Sequence, residues 1–198
     1  DDDVNKAWVG LGYYRRARLL RNGCKYVMEH FNGELPSTVD ELKKIPGIGP
    51  YTAGAIASIA FGRRRALVDG NVIRVLARLR ALAGNPKSTT MKNACWDVAS
   101  SLVERESLRR PGDFNQALME LGATICTPGP KTPRCDLCPV AKHCRARAEV
   151  AAAKGCTNVA SASSSPLVVV IDCTVSDEEK ALARTQATSV SKYPLPSV

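Results

Sequence analysis

Along the first 32 residues, apolar side chains recur at helical spacing: Val4, Ala7, Trp8 and Leu11, then Leu19, Leu20, Tyr26 and Val27, with Gly10-Leu11-Gly12 interrupting them. Apolar positions three and four apart line one helix face, and glycines free the backbone to reverse, so the pattern predicts two helices around a tight turn. A short helix is expected after Pro36-Ser37, capped by Ser37 with Asp40 reaching back. Pro46-Gly47-Ile48-Gly49-Pro50 ends it and launches another, with Pro50 in the first turn. That is a helix-hairpin-helix pattern. Its second helix, Tyr51 to Phe61, is rich in small residues; a basic loop Arg63-Arg64-Arg65 follows. Asp69 stands at the start of a helix expected from Gly70 to about Ala83. Further helices are predicted from about Thr90 to Glu104 and from Phe114 to Ile125, the latter opened by Asp113 with Gln116 in a capping box.

After Cys144 the texture turns Ala-rich and then Ser-rich, with four serines between Ser161 and Ser165, and reads as a flexible linker. Residues 167–173 have the composition of a strand, but a lone strand cannot bury itself and no partner sheet follows. No internal repeat is present.

Composition sharpens this picture. With 198 residues and 44% apolar content the chain can bury one core or two small lobes. The formal charge is +9, yet residues 151–198 hold four basic and four acidic side chains, so the whole excess sits in residues 1–150. A helical unit so charged attracts polyanions, nucleic acid being the commonest, with a merely solvated basic surface as the alternative. No apolar stretch approaches the roughly 20 residues that span a bilayer, and Asp1-Asp2-Asp3 is the opposite of a secretory signal. A soluble, intracellular protein with no membrane partner is expected. In such a setting its eight cysteines point to thiols or metal ligands, not a disulfide framework.

Four of them, Cys126, Cys135, Cys138 and Cys144, are separated by eight, two and five residues. Four thiolates so close suit zinc or an iron–sulfur cluster. Zinc ribbons usually carry two Cys-x-x-Cys knuckles and this segment has one, which favours a four-iron cluster. Unliganded core cysteines are the alternative, disfavoured because Pro128, Pro130, Pro133 and Pro139 break any core periodicity. Cys24, Cys95, Cys156 and Cys173 are scattered. Basic residues punctuate the same segment (Lys131, Arg134, Lys142, His143, Arg145, Arg147) and either grip phosphates or form a solvated face. In the hairpin, glycines allow close approach of a phosphate to amides at the next helix N-terminus, although an ordinary helix-to-helix turn reads the same way. Asp69 is either a plain N-cap or a carboxylate able to stabilise a cationic sugar transition state.

Taken together, these residues resemble the adenine DNA glycosylases of the MutY type, within the helix-hairpin-helix superfamily that also contains endonuclease III. The resemblance runs from about Val4 to Arg147. It is carried by Gly10-Leu11-Gly12-Tyr13-Tyr14, Pro46-Gly47-Ile48-Gly49-Pro50-Tyr51-Thr52-Ala53-Gly54, Val68-Asp69-Gly70-Asn71-Val72, Phe114-Asn115-Gln116-Ala117 and the cysteine segment. It implies an all-α fold: a helical barrel from about Phe31 to Gln116, and an iron–sulfur lobe of the N-terminal helices with residues 117–147, the DNA cleft between them. Residues 148–198 would then be the linker and the start of a further domain.

The implied activity is hydrolysis of the N-glycosidic bond of adenine mispaired with 8-oxoguanine or guanine, after the base is flipped from double-stranded DNA. By resemblance, Asp69 stabilises the oxocarbenium-like sugar and Asn71 orients the reacting groups. Tyr51 replaces the Schiff-base lysine of bifunctional relatives, and a phenol cannot form that imine, which implies a monofunctional enzyme. Tyr13, or else Tyr14, is the wedge in the base stack; Gly47, Ile48, Gly49, Arg134 and Lys142 contact DNA; Cys126, Cys135, Cys138 and Cys144 hold a 4Fe-4S cluster, with zinc as the alternative. Also implied are a monomer in the nucleus or mitochondrion and a linker that binds repair or checkpoint proteins.

The sequence departs from the pattern in three ways. The general-acid glutamate and a Gln-rich motif are expected on a helix before the first residue. One general acid is worth about 10²- to 10⁴-fold in rate, so residues 1–198 alone are expected to be impaired. The first cysteine gap is eight residues where the family usually has six. The MutT-like domain that reads 8-oxoguanine is not among these residues. Two rival readings are an endonuclease III-like lyase, disfavoured by Tyr51, and a non-catalytic DNA-binding module.

Overall fold

The computed structural model describes residues 2–129 and 133–153, which are helical with no strand among them. The expected linker from 154 onward and the strand at 167–173 lie outside the described residues. The chain forms α1 (Asp2–Ala7), α2 (Tyr14–His30), α3 (Val39–Leu42), α4 (Pro50–Ala55) with a π-turn (Ile56–Ala60), α5 (Gly70–Arg80), α6 (Thr89–Val103), α7 (Pro111–Thr124) and α8 (Arg145–Ala153). The described residues divide into two compact units: those within 2–67 and 103–115, and those within 68–102 and 116–153. The N-terminal helices group with the hairpin, and the cysteine segment groups with α5, because hydrogen bonds join partners about 50 residues apart that periodicity cannot pair.

In the first unit, Gly10 and Gly12 adopt positive φ and turn the chain from α1 into α2, as the sequence predicts. α2 buries Ala17, Gly23 and Val27. Gly23 is needed because a β-carbon there would meet the Pro46 carbonyl at 3.1 Å, so α2 rests against the hairpin. Val27, Leu42, Ile45, Ala53 and Ala57 form the core, flanked by Tyr26, Phe31, Val39, Ile48 and Ile56. The α3 cap is Thr38, one residue after the predicted Ser37: the Thr38 hydroxyl accepts from the Glu41 amide, while the Ser37 hydroxyl accepts from Arg63.

The small residues of α4 let an extended segment cross it closely. A β-carbon on Gly54 would sit 2.0 Å from the Ala66 carbonyl oxygen. The predicted single helix from Tyr51 to Phe61 instead widens into the π-turn, where Ser58 is buried. Buried Asn115 donates to the Ser58 hydroxyl at 2.9 Å and to the Arg65 carbonyl at 2.8 Å. Arg64 donates to the carbonyls of Glu106 and Leu108, and Arg65 pairs with Glu104. The basic loop is therefore a structural clamp within this unit. α7 opens three residues before its predicted start, at Pro111, and Asp113 pairs with Arg110 in its first turn instead of capping it.

In the second unit α5 buries Val72, Ile73, Val75, Leu76, Ala77 and Arg78. It ends near Arg80, earlier than predicted, because Ala81 enters the left-handed region and the Leu82 amide bonds back to the Ala77 carbonyl. α6 presents buried Met91, Ala94, Cys95 and Ala99 at helical spacing. Residues 145–153, read from sequence as passing into linker, form α8 and pack on α5, with Ala146 and Val150 buried beside Ala81, Cys135 and Cys144.

Gly54→Ala should destabilise the protein by about 3 kcal/mol, read from urea unfolding, since neither backbone can yield cheaply. Cys95 offers a pH test. Its thiol is fully buried, and desolvation pushes its pKa from 9.0 up to about 11. The folded state holds that proton more tightly than the unfolded chain, so this contribution is complete below about pH 9 and is lost as pH rises toward 11. Cys95→Ala should flatten the alkaline decline in unfolding free energy; parallel curves for the two proteins would refute the assignment.

Candidate active site and cysteine cage

Asp69 begins α5 from extended backbone, φ −110° and ψ −175°, the geometry of an N-cap. One carboxylate oxygen accepts from the Val72 amide at 2.8 Å; the other accepts from Asn71 Nδ2 at 2.9 Å. Both oxygens are thereby fixed in direction while the residue stays half-buried. Asn71 Oδ1 accepts from Arg74 Nη2 at 2.7 Å. Arg74 also donates to the carbonyls of Gly122 at 2.7 Å and Cys126 at 2.8 Å. A β-carbon on Gly122 would meet that of Asn71 at 2.7 Å, so a glycine is what lets α7 close against the start of α5. Burial, followed by the charge of Arg78, lowers the pKa of Arg74.

The chain of contacts continues into the cysteine segment. Arg78, 2% exposed, donates from Nη1 to the carbonyls of Cys126 and Thr127 and lies 3.2 Å from Cys126 Sγ. Cys144 Sγ donates to the Arg78 carbonyl at 3.5 Å. Cys126, Cys135, Cys138 and Cys144 line a single cavity with apolar Val75, Leu79, Leu121 and Ile125. Burial raises the Cys135 thiol first, with the charges of Cys126 and Cys138 adding to it; Cys144 is raised by burial and then, against a hydrogen bond from the Arg147 backbone, by all three other cysteines. Four soft donors facing one cavity within each other's electrostatic reach fit a thiolate-ligated group. Among the described residues, no three histidine, cysteine or acidic side chains form a group able to hold a metal ion.

The other predicted residues occupy different places. Tyr51 lies in the first turn of α4, 40% exposed, and belongs to the first unit, whereas Asp69 and Asn71 belong to the second. Gly47 is left-handed, φ 88°, and a β-carbon there would strike Leu19 at 2.9 Å. Gly49 caps α4, and Ile48 packs against the core. Tyr13 and Tyr14 stand side by side, 81% and 51% exposed, Tyr13 held in the left-handed region. Arg134 is exposed but tied back, its guanidinium donating to the Thr124 carbonyl at 2.5 Å; Lys142 is exposed on a short 3₁₀ turn. Lys131 lies outside the described residues.

A helix-hairpin-helix motif model matches residues 30–59, which bracket the hairpin. The human adenine DNA glycosylase is 52% identical over 150 residues, 75% of this chain and 27% of that protein. The Arabidopsis thaliana adenine DNA glycosylase is 54% identical over 144 residues, 73% of this chain and 22% of that protein. Most of this chain is homologous to adenine DNA glycosylases. The chain spans only about a quarter of the length of these two relatives. Among solved structures, a thermostable thymine-DNA glycosylase matches with a TM-score of 0.62 and 27% identity, covering 75% of this chain and 66% of that one. A non-covalent endonuclease III–DNA complex matches with a TM-score of 0.57 and 28% identity, over 73% and 64%. The predicted all-α helix-hairpin-helix glycosylase fold is therefore the observed one.

Sequence reasoning missed Arg74 and Arg78 in this glycosylase homologue. The signal was available: two arginines one turn apart, the second within the apolar run Val75-Leu76-Ala77 that α5 buries. A charged residue at a core position asks for partners. Arg74→Met should cost about 2 kcal/mol in urea unfolding, because the carbonyls of Gly122 and Cys126 lose a charged donor. Asp69→Asn keeps the oxygen that caps Val72 but sets an amide donor against Asn71 Nδ2, and should cost about 1 kcal/mol in urea unfolding.

Proposed function

We propose that this chain is the core of a monofunctional adenine DNA glycosylase that hydrolyses the N-glycosidic bond of adenine opposite 8-oxoguanine or guanine in double-stranded DNA. The observation that carries the reading is Asp69: a half-buried carboxylate aimed by Val72 and Asn71, in a chain about half identical to adenine DNA glycosylases. In the reaction, adenine leaves with the electron pair of its bond to C1′ and takes up a proton, positive charge develops on the sugar, and water adds at C1′ and releases a proton to solvent. A carboxylate whose lone pairs are already oriented stabilises that charge without reorganising, which is where electrostatic catalysis gains most. Asn71 holds it in that orientation, and Arg74 holds Asn71. Tyr51 has no amine with which to form an imine, so strand cleavage by a lyase step is not part of this chemistry.

Double-stranded DNA is the partner that a net charge of +9 and a helix-hairpin-helix motif support. Exposed Tyr13 supplies a flat ring on a rigid left-handed turn, suited to wedging between bases. The cysteine cage holds a 4Fe-4S cluster in this reading. What supports it is that Cys126, Cys135, Cys138 and Cys144 line one cavity and that the segment has a single Cys-x-x-Cys knuckle where zinc ribbons usually carry two. When bound, such a cluster supplies four metal–thiolate bonds that fix the segment next to Arg74 and Arg78.

The test is single-turnover adenine release by the full-length protein from duplexes carrying adenine opposite 8-oxoguanine or guanine. Asp69→Asn should lower the rate at least about 100-fold with DNA affinity retained, and borohydride should trap no covalent product. Release by the variant at the parental rate would remove Asp69 from the mechanism. Tight binding without release by the parent would make the protein a non-catalytic DNA-binding module, and a trapped imine would make it a lyase.

A further inference from the structure

α5 carries two arginines one turn apart that do different work. Arg74 turns toward Asn71 and Asp69, whereas Arg78 turns into the cysteine cage. At 2% exposure the Arg78 guanidinium has left water, which costs several kcal/mol unless the new surroundings compensate. Its recorded acceptors are the carbonyls of Cys126 and Thr127 and the sulfur of Cys126, at 3.1, 3.0 and 3.2 Å. Its own carbonyl receives the Cys144 thiol at 3.5 Å. The side chain thus grips the first cysteine of the set, while the Cys144 contact belongs to its protonated thiol and is given up when that sulfur becomes a thiolate. The grip falls where the eight-residue gap between Cys126 and Cys135 begins, so Arg78 anchors the start of the longest interval in the cage. A planar guanidinium can reach carbonyls and a sulfur at once; an ammonium, a point charge on a flexible stem, cannot hold the same fork.

We propose that Arg78 is a positioning residue for the cysteine cage, holding Cys126 in place for the cluster and setting the cluster's reduction potential through its hydrogen bond to Cys126 Sγ. This rests on the cluster reading above. The physical reason is that a cationic donor on a ligand sulfur withdraws electron density from the metal–thiolate bond and favours the more negatively charged, reduced state.

The experiment compares the full-length protein with Arg78→Met and Arg78→Lys. Iron and acid-labile sulfide are measured per chain, cluster loss is timed after addition of a chelator, and the midpoint potential is recorded by film voltammetry. The parent should carry about four irons. Arg78→Met should lose its cluster several-fold faster, and the cluster it retains should have a more negative potential. Arg78→Lys, which keeps the charge without the fork, should fall between the two. Parental lifetime and potential in Arg78→Met would overturn the proposal and leave Arg78 a packing residue. Should Arg78→Met fail to fold by circular dichroism, Arg78→Lys decides: an unshifted potential with unshifted lifetime overturns the proposal, and a shift in both upholds it. A folded parent devoid of iron and sulfide would sink the cluster reading itself, and the proposal with it.

Discussion

The second unit depends on two guanidinium groups carried one turn apart by α5. Arg74 and Arg78 saturate the carbonyls of Gly122, Cys126 and Thr127, where α7 ends and the cysteine segment begins. A buried carbonyl without a partner costs about as much as a typical destabilising mutation; Gly122 is buried here, and Cys126 and Thr127 are half-buried. Charged donors suit this place because they are stronger than neutral ones and because five N–H groups on a rigid plane serve several acceptors at once. Everything chemical in this unit hangs on that pair: Asp69 and Asn71 at one end, the four cysteines at the other.

The same logic removes a dilemma that the sequence posed. An aspartate before a helix is ordinarily a cap, and a catalytic role looks like a competing explanation. Here the two roles are compatible, since the hydrogen bond that caps α5 also immobilises the carboxylate, and Asn71 fixes its second oxygen. A group meant to stabilise charge in a transition state gains from being held before the reaction starts. The cap supplies the rigidity that the proposed chemistry would use.

The first unit is organised by close backbone approach. Gly23, Gly47 and Gly54 each remove a β-carbon that would strike a neighbour, and Asn115 satisfies the Arg65 carbonyl in the segment that crosses α4. The arginines at 63–65, read as part of a basic excess, spend their hydrogen bonds on Ser37, Glu106, Leu108 and Glu104. Net charge in a sequence therefore overstates what is free to meet a phosphate.

The sequence by itself determined most of the helices before Cys126, the hairpin, the Asp69 cap and the grouping of four cysteines. These follow from periodicity, from proline and glycine, and from spacing within a few residues, all local quantities. It misplaced the α3 cap by one residue and the α7 start by three, because Arg63 claims Ser37 and Arg110 pairs with Asp113. Only the tertiary structure decided the roles of Arg74, Arg78 and Asn115 and the packing of α8 on α5. Each depends on partners about 50 or more residues away, and such pairings arise from which carbonyls folding buries, a property no window of sequence contains.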